Sequence, residues 1–393
     1  MSRIKRPLLS VCIPTYNRSK LLDSLLETLY QESLIHEHHV EIVVSDNCSD
    51  DPTQDLLHRW ALRMPIKVNR WSKNIGGSLN VLSIPSLASG EFCIIIGDDD
   101  LFAPGALQNA TNLITRHEDV SLFAIGYSYQ PSSLRDSIVA LVLDNKEIEP
   151  PKSNYTLNKR GYTKERWGEI LALSDRPANL TAIPSFIFRR SEWIDKSQRV
   201  KAKITVSQSM NLNCVEAAFP HSIIWIEMAS KGAMYIDTRA YTYFFVGEQE
   251  WFAQKWNAML LGLCVELATK MRYANAGESY VRYYLELIAR VKSSFFILFN
   301  MNDYAKSVLR PRRTIKELGF SRMAWTNIQS CFCSESISFR IRCSSLLFQI
   351  VPACMATKEN MVVGTPFILR MIKYTIRHAG RRLLNQLSFK SYT

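Results

Sequence analysis

Three consecutive aspartates are the residues of this sequence best placed to do chemistry. Asp98, Asp99 and Asp100 come just after the apolar residues 93–96, which predict a strand buried on both faces. Adjacent acids repel one another, and Mg²⁺ or Mn²⁺ turns that cost into affinity because both ions favour hard carboxylate oxygens. The same acids could instead form a solvated turn that caps a helix beginning near Pro104. The residues alone therefore leave both a metal site and an acidic cap open.

Two further polar turns follow predicted strands. Asp46 ends a strand predicted for residues 40–45, and the loop of residues 74–77 follows a short strand at residues 66–69. Ligands of open α/β sheets bind beyond the carboxyl ends of the strands, so the three turns are expected to share one edge. This edge is the predicted site for a nucleotide diphosphate. Asp46 could also merely cap its own turn, and residues 74–77 could be an ordinary loop into a helix.

The elements that must position these turns alternate along the chain. Strand patterns at residues 8–13, 40–45, 66–69 and 93–96 are separated by amphipathic helical patterns over about the first 125 residues. Such alternation implies parallel strands joined by right-handed crossovers. The predicted fold class is therefore α/β with a Rossmann-like, nucleotide-binding sheet.

Four blocks of sequence, in this order, resemble a known family. They are residues 10–18 (SVCIPTYNR), 41–50 (EIVVSDNCSD), 74–77 (NIGG) and 90–105. They are similar to the ordered blocks of family 2 glycosyltransferases, whose fold is called GT-A. Within that family, residues 97–105 are similar to bacterial O-antigen enzymes of the abequosyltransferase type. The resemblance implies a GT-A sheet, a nucleotide-sugar donor and a divalent metal, Mg²⁺ or Mn²⁺.

The resemblance also implies roles for individual residues. The nucleotide-binding residues are predicted to be Pro14, Thr15, Asp46, Asn74, Gly76 and Asp98, and the metal ligands Asp98, Asp99 and Asp100. The triplet departs from the usual Asp-x-Asp-Asp pattern. Either Gly97 stands at the first aspartate position with Asp99 at the second, or Asp98 and Asp100 are the pair. In both registers the cation would neutralise charge on the departing nucleotide. Arg18 could contact a phosphate or be a solvated surface charge.

Transfer of a sugar to a hydroxyl needs a base that takes the hydroxyl proton. Glu216 and His221 lie near the start of a helix predicted to begin at Pro220, and Glu216 is the first candidate for the base of an inverting mechanism. His221 could be a metal ligand, a contact for the acceptor or an ordinary helix residue. Glu227 lies farther along the helix and is the weakest candidate. The Glu-Asp pair that is usual in this part of the family is absent.

The chain is predicted to have three parts. Residues 1–130 form the nucleotide-sugar-binding half of the GT-A domain, residues 131–250 the acceptor-binding half, and residues 251–393 a helical extension. Within the second part, residues 130–152 are predicted to be a loop or excursion over the sheet, and residues 233–245 a closing hairpin.

Bulk properties exclude several classes of protein. Apolar residues make up 47% of the 393 residues and charged residues 21%, which is typical of a globular protein. No apolar run reaches the roughly 18 to 20 residues needed to span a bilayer, and the basic amino terminus lacks a signal cleavage site. The nine scattered cysteines fit reduced, cytoplasmic thiols better than a disulfide framework, and Cys331 and Cys333 lack the spacing of a zinc site.

The net charge of +12 calls for anionic partners. The basic amphipathic stretch at residues 367–384 could lie on an anionic membrane surface, or could pack on its neighbours with a solvated basic face. Nucleic acid is not an expected partner, because the basic residues are spread along the chain without a recognised module.

Together these features predict a cytoplasmic glycosyltransferase, peripheral on the inner face of the cytoplasmic membrane, that acts on a lipid-linked bacterial glycan such as O-antigen or lipopolysaccharide. A sugar-nucleotide nucleotidyltransferase is one alternative. It would carry a glycine-rich phosphate loop after the first strand, where this chain has residues 14–17 (PTYN). A non-catalytic scaffold at a membrane is the other alternative.

Overall fold

A mixed sheet of nine strands forms the centre of the described part of the chain. The computed structural model describes residues 6–32, 35, 37, 39–144, 151–154, 160–163, 180, 182–211, 215–231 and 234–246. The chain divides into two units, residues 1–284 and 285–393, and every described residue lies in the first. The predicted helical extension and its basic stretch therefore lie outside the described residues, and the three predicted domain boundaries stay predictions.

The first four strands pair in parallel, as the alternating pattern predicts. They are β1 (Leu9–Thr15), β2 (Val40–Asp46), β3 (Ile66–Arg70) and β4 (Phe92–Ile95), and the connecting helices are α1 (Ser19–Tyr30), α2 (Thr53–Arg63) and α3 (Gly77–Leu87). The strand order is β3-β2-β1-β4, so β1 lies between β2 and β4. The residues of β1 and β4 are almost all buried, which explains their mostly apolar sequence.

The remaining strands extend the sheet on the far side of β4. They are β5 (Leu101–Phe102), β6 (Leu122–Pro131), β7 (Arg160–Thr163), β8 (Phe186–Arg189) and β9 (Met234–Val246). Strand β8 lies antiparallel between β4 and β6, and β9 runs parallel to β6. Both β5 and β7 pair antiparallel with β9. The carboxyl end of β4 is thereby joined, through β5, to the end of β9.

The helices of this half are α4 (Ala106–Arg116), α5 (Arg135–Leu143), α6 (Arg190–Lys201), α7 (Val206–Asn211), α8 (Val215–Ala218) and α9 (Pro220–Lys231). Helix α9 begins at Pro220, as predicted. The predicted loop at residues 130–152 is partly wrong, because β6 continues to Pro131 and α5 follows a short 3₁₀ turn, Ser132–Leu134. Within the described residues, no helix combines the length and the apolar character needed to cross a bilayer.

The predicted hairpin at residues 233–245 is wrong, because β9 is one continuous strand. The polar residues at 237–239 read as a turn in the sequence, but they form an irregularity in the pairing with β6 near Gly126. A Cβ atom at Gly126 would lie 2.6 Å from the carbonyl oxygens of Thr238 and Arg239, so only glycine permits this close approach. The Arg239 guanidinium satisfies the buried Asp237 carboxylate (Nε to Oδ1, 3.0 Å) and holds it within the strand.

Candidate functional site

The loops at the carboxyl ends of β1, β2 and β4 are joined by hydrogen bonds that start at Thr15. The Thr15 hydroxyl donates to Asp98 Oδ2 beyond β4 (2.8 Å), and the Thr15 carbonyl accepts the amide of Asn47 beyond β2 (3.0 Å). Asn47 in turn donates from Nδ2 to Asn74 Oδ1 (2.9 Å). The prediction that the three polar turns share one edge of the sheet is therefore confirmed.

The acidic triplet is buried rather than solvated. Asp98, Asp99 and Asp100 are 3%, 5% and 2% exposed, which disagrees with an acidic turn open to water. Burial raises the pKa of Asp98 to about 6, and Asp99 adds to that rise while Arg18 and Thr15 oppose it. Burial also raises the pKa of Asp100 well above its usual value, with Asp99 again adding to the rise. Three carboxyl groups held in this way create a strong demand for positive charge.

Arg18 supplies part of the positive charge that the triplet requires. Its Nη1 atom lies 3.0 Å from Asp98 Oδ1 and 3.0 Å from Asp99 Oδ2, so one guanidinium nitrogen bridges two carboxylates. Of the two possibilities given for Arg18, the surface charge is wrong, because its side chain is only 28% exposed and is bonded to the triplet.

Arg135 and Phe245 hold the loop of the triplet from the other side. The Arg135 side chain is buried and donates from Nε to the Asp99 carbonyl (3.1 Å) and from Nη2 to the Leu21 carbonyl (3.0 Å). The Phe245 amide donates to Asp100 Oδ1 (3.0 Å). Sequence reasoning missed both residues, because they are 36 and 145 positions away from their partners and no local pattern marks them.

Gly97 has a steric role in the same loop. A Cβ atom at this position would collide with Asp99 Oδ1, because the Asp99 carboxylate turns back over the backbone of residue 97. Glycine at residue 97 therefore permits the conformation in which Asp99 reaches Arg18.

Asp46 is fully buried, and both of its carboxylate oxygens accept hydrogen bonds from neighbouring elements. Oδ1 accepts the Ser49 amide (2.9 Å), and Oδ2 accepts Gln54 Nε2 and Arg70 Nη1 (2.8 Å each). Asp46 therefore caps its own turn, as one of its two interpretations predicts. It also orients Arg70, whose side chain is 37% exposed. Contact between Asp46 and a nucleotide stays a prediction. Sequence reasoning missed Arg70.

The loop of residues 74–77 is held in a shape that requires glycine. Gly76 has φ +82°, its amide donates to Asn74 Oδ1 (2.8 Å), and a Cβ atom there would collide with Ser209. The Ser209 hydroxyl accepts the Leu79 amide at the start of α3 (3.0 Å). The loop is therefore packed against α7. Pro14, at the end of β1, precedes Thr15 directly, so the structure gathers the predicted nucleotide-binding residues at this edge.

The two candidate bases have different surroundings. Glu216 is half-buried in α8, and the carbonyl of the next residue, Ala217, accepts the Ser78 hydroxyl at the start of α3. This contact brings Glu216 to the side of the sheet where residues 74–77 lie. His221 is 4% exposed, and its ring is edge-on to Trp225 with centroids 4.8 Å apart. His221 thus packs in an aromatic cluster, as expected for an ordinary core-facing helix residue.

The acidic triplet is the group of residues that would bind a divalent cation. In the part of the chain that the structure describes, no group of three or more Asp, Glu, His or Cys side chains is arranged to hold one metal ion. The chemistry of Asp98 and Asp99 does fit a cation, because two of their carboxylate oxygens already converge on one positive charge at Arg18. Metal binding by the triplet stays a prediction.

The sequence matches a family model and several named relatives. Residues 10–196 match the family described as glycosyl transferase family 2. The abequosyltransferase RfbV of Salmonella typhimurium is 36% identical over 117 residues, which are 29% of this chain and 35% of that enzyme. The GalNAc(5)-diNAcBac-PP-undecaprenol beta-1,3-glucosyltransferase of Campylobacter jejuni is 33% identical over 104 residues, or 26% of this chain and 32% of that enzyme. Each match spans about a third of the relative's length.

Among solved structures, TarS of S. aureus in complex with UDP-GlcNAc resembles this chain with a TM-score of 0.51 and 16% identity. The superposition covers 88% of this chain and 90% of the TarS chain. At this level of identity the likeness concerns the fold. It confirms the predicted GT-A fold.

Proposed function

On the premise that residues 10–196 form a family 2 glycosyltransferase domain with the GT-A fold, we propose that this protein transfers a sugar from a nucleotide-sugar donor to a hydroxyl of a lipid-linked bacterial glycan. One observation carries the proposal. Hydrogen bonds made by Thr15 and Asn47 join the buried acidic triplet beyond β4 to the polar loops beyond β2 and β3. Binding crevices of open α/β sheets lie at this edge.

The donor nucleotide is assigned to the loops beyond β1, β2 and β3. Pro14, Thr15, Asp46, Asn74 and Gly76 lie there, and Asp98 joins them through the Thr15 hydroxyl. Tyr16 follows Thr15 and is 41% exposed, so its ring is available for stacking on a nucleotide base. Arg70, oriented by Asp46, is a cation within the same group of loops.

The diphosphate is assigned to the edge beyond β4. Asp98, Asp99 and Asp100 are the side chains that would hold Mg²⁺ or Mn²⁺. When bound, such a cation stabilises negative charge on the departing nucleoside diphosphate. The chain itself contributes a site with little water, since all three aspartate residues are at most 5% exposed, and electrostatic interactions are stronger where water is excluded.

Glu216 is assigned as the base. It takes the proton of the acceptor hydroxyl as that oxygen bonds to the anomeric carbon of the donor sugar. The bond from the anomeric carbon to the phosphate oxygen breaks, and its electron pair leaves with the nucleoside diphosphate. Attack opposite the leaving group inverts the anomeric centre. The position of Glu216, next to the carbonyl that binds Ser78, supports this role.

The acceptor and the location rest on the relatives and on the chain's charge. The Campylobacter relative is named for an undecaprenol-linked acceptor, and the Salmonella relative is an abequosyltransferase. A net charge of +12 and the basic stretch at residues 367–384 support binding to an anionic membrane from the cytoplasmic side.

A transfer assay with a panel of nucleotide sugars and lipid-linked acceptors tests the proposal. Asp98→Ala and Asp100→Ala should each lower metal-dependent transfer by at least about 100-fold, as expected when a transition-state charge loses its support. Asp195→Ala is the matched control, because Asp195 is an exposed acid on α6 (side chain 74% exposed). Circular dichroism should show that each variant is folded. Full metal-dependent activity in both folded site variants would refute the metal site.

Calorimetric titration with Mn²⁺ and nucleoside diphosphates separates an enzyme from a scaffold. An enzyme of this kind should bind the nucleotide more tightly when Mn²⁺ is present. A scaffold at a membrane should bind neither.

A further inference from the structure

We propose that Arg18 is a built-in counter-cation that occupies the metal position of the free protein and leaves it when the donor diphosphate binds, so that the metal and the nucleotide bind cooperatively. The inference rests on the proposed function and goes beyond it, because it assigns a role to a residue outside the acidic triplet.

The first argument is mutual exclusion. Arg18 Nη1 lies 3.0 Å from one oxygen of Asp98 and 3.0 Å from one oxygen of Asp99. A magnesium ion needs carboxylate oxygens at about 2.0–2.1 Å. An ion placed on these two oxygens would stand against a guanidinium nitrogen of the same sign. The guanidinium and the metal therefore cannot share the pair.

The other oxygens of the triplet give the metal little alternative. Asp98 Oδ2 accepts the Thr15 hydroxyl (2.8 Å), and Asp100 Oδ1 accepts the Phe245 amide (3.0 Å). The pair that faces Arg18 is thus the place where two different carboxylates present oxygens to one charge. A metal that arrives alone must first displace Arg18 into water.

The Arg18 side chain can move away from the triplet, whereas the side chain of its neighbour Arg135 is held in place. The Arg18 side chain is 28% exposed, and its described bonds are to side-chain oxygens. The Arg135 side chain is buried and is bonded to the main-chain carbonyls of Leu21, Asp98 and Asp99. The Arg18 carbonyl accepts the Leu22 amide in the first turn of α1, so only the side chain of Arg18 would need to move.

Gly97 supports the same arrangement. The Asp99 carboxylate turns back over residue 97, where any Cβ atom would collide with Asp99 Oδ1. Glycine at this position therefore permits the conformation in which Asp99 meets Arg18. A side chain there would push Asp99 away from Arg18 without removing a charge.

A diphosphate favours exchange of Arg18 for the metal at the carboxylates, because its phosphate oxygens can bind the Arg18 guanidinium instead. Guanidinium groups form strong, charge-assisted hydrogen bonds with phosphate oxygens. When nucleotide and metal arrive together, Arg18 exchanges carboxylates for phosphate and the metal takes the carboxylates. By linkage, each ligand then tightens binding of the other by the same factor.

The experiment measures Mn²⁺ affinity in the full chain, by calorimetry and by the electron paramagnetic resonance signal of free Mn²⁺. For the wild type we expect weak binding of Mn²⁺ alone and at least about 10-fold tighter binding with a nucleoside diphosphate such as UDP or GDP, a coupling in the usual range. Arg18→Gln should bind Mn²⁺ alone at least about 10-fold more tightly than the wild type, and added nucleotide should tighten it less.

Two further variants serve as controls. Arg18→Lys keeps the charge, so it should bind Mn²⁺ alone as weakly as the wild type does. Arg63→Gln removes an exposed arginine that pairs with Glu27 (3.2 Å), and it should leave Mn²⁺ affinity unchanged. If Arg18→Gln does not fold, Arg18→Met replaces it, with a similar gain in Mn²⁺ affinity expected because the charge is again removed while Asp98 and Asp99 are left unchanged.

The outcomes separate this inference from the proposed function. Equal Mn²⁺ affinity in the wild type and in folded Arg18→Gln, both abolished by Asp98→Ala, would overturn the role of Arg18 and leave the metal site standing. Absence of Mn²⁺ binding in every variant, with and without nucleotide, would overturn the metal-assisted function together with the inference.

Discussion

Replacing Arg135 by methionine should destabilise the protein more than almost any other single change at the site. Methionine keeps the apolar stem and removes the guanidinium, which donates to the Asp99 carbonyl (3.1 Å) and the Leu21 carbonyl (3.0 Å). Hydrogen bonds that involve a charged group contribute about 1.5–3 kcal/mol each. The loss also leaves the buried triplet with one cation fewer. A cost of about 3–5 kcal/mol follows, as is usual when one partner of a buried charged group is removed.

Urea unfolding, followed by near-ultraviolet circular dichroism, is the assay for Arg135→Met. With a slope of about 3 kcal/mol per molar urea, the expected loss lowers the midpoint by roughly 1–1.7 M. Arg63→Met is the matched control, since the Arg63 side chain is 45% exposed and its guanidinium carbon lies 4.1 Å from the centroid of the Trp60 ring. An exposed ion pair contributes about 1 kcal/mol or less, so the control midpoint should move little.

Arg135→Lys adds a test of geometry. A lysine carries the charge but cannot reach two carbonyls with a rigid fork, so it should recover only part of the lost stability. A loss below about 1 kcal/mol in Arg135→Met, or full recovery in Arg135→Lys, would refute the reasoning that two directed hydrogen bonds hold the triplet's loop.

Two more predictions concern the same sheet edge and its opposite end. Gly76→Ala should cost about 1–3 kcal/mol in the free energy of unfolding, because residue 76 has φ +82° and a Cβ atom there meets Ser209, whereas Gly77→Ala should be neutral or slightly stabilising since no atom lies within 4 Å of its Cβ position. Thermal melts of the two variants test this, and equal melting temperatures would contradict it. Glu41→Gln should cost about 1–2 kcal/mol at neutral pH, since hydrogen bonds from Ser10, Ser89 and Gly90 outweigh burial and lower the pKa of Glu41. Because the folded pKa is the lower one, this stability is present above the unfolded pKa of about 4.3 and is lost as the pH falls through the folded value. Urea midpoints of the wild type and variant should therefore converge below about pH 4, and a constant gap would contradict the assignment.

The parts of the fold that local sequence patterns specify were predicted well. Strands β1, β2 and β4 are largely buried, so their apolar runs stand out in the sequence, and polar turns follow them. Their convergence at one edge follows from parallel pairing alone. Asp46 and Asp98 could be chosen as site residues for this reason, whereas Thr15 was chosen because the resemblance to the family implied it.

The missed features depend on contacts between distant parts of the chain. Arg135 lies in a segment that the sequence predicts to be polar and irregular. The hydrogen bond to Asp100 comes from the backbone amide of Phe245, so the residue type at position 245 does not indicate it. The bulge at residues 237–239 imitates a turn, since Asp237 and Arg239 are polar but satisfy each other within the strand. No periodicity encodes such pairings, because they depend on which strand comes to lie beside which.

The hydrogen bond between Phe245 and Asp100 also sets an order of events during synthesis. The amide that completes the loop of Asp100 is translated 145 residues after it. At roughly 5–20 residues per second, the nascent chain carries an incomplete loop for about 7–30 seconds after Asp100 is made. A chain that stops before β9 would lack the amide that binds Asp100 Oδ1. The loop of the acidic triplet thus reaches its final hydrogen bonding only after the last described strand has been made.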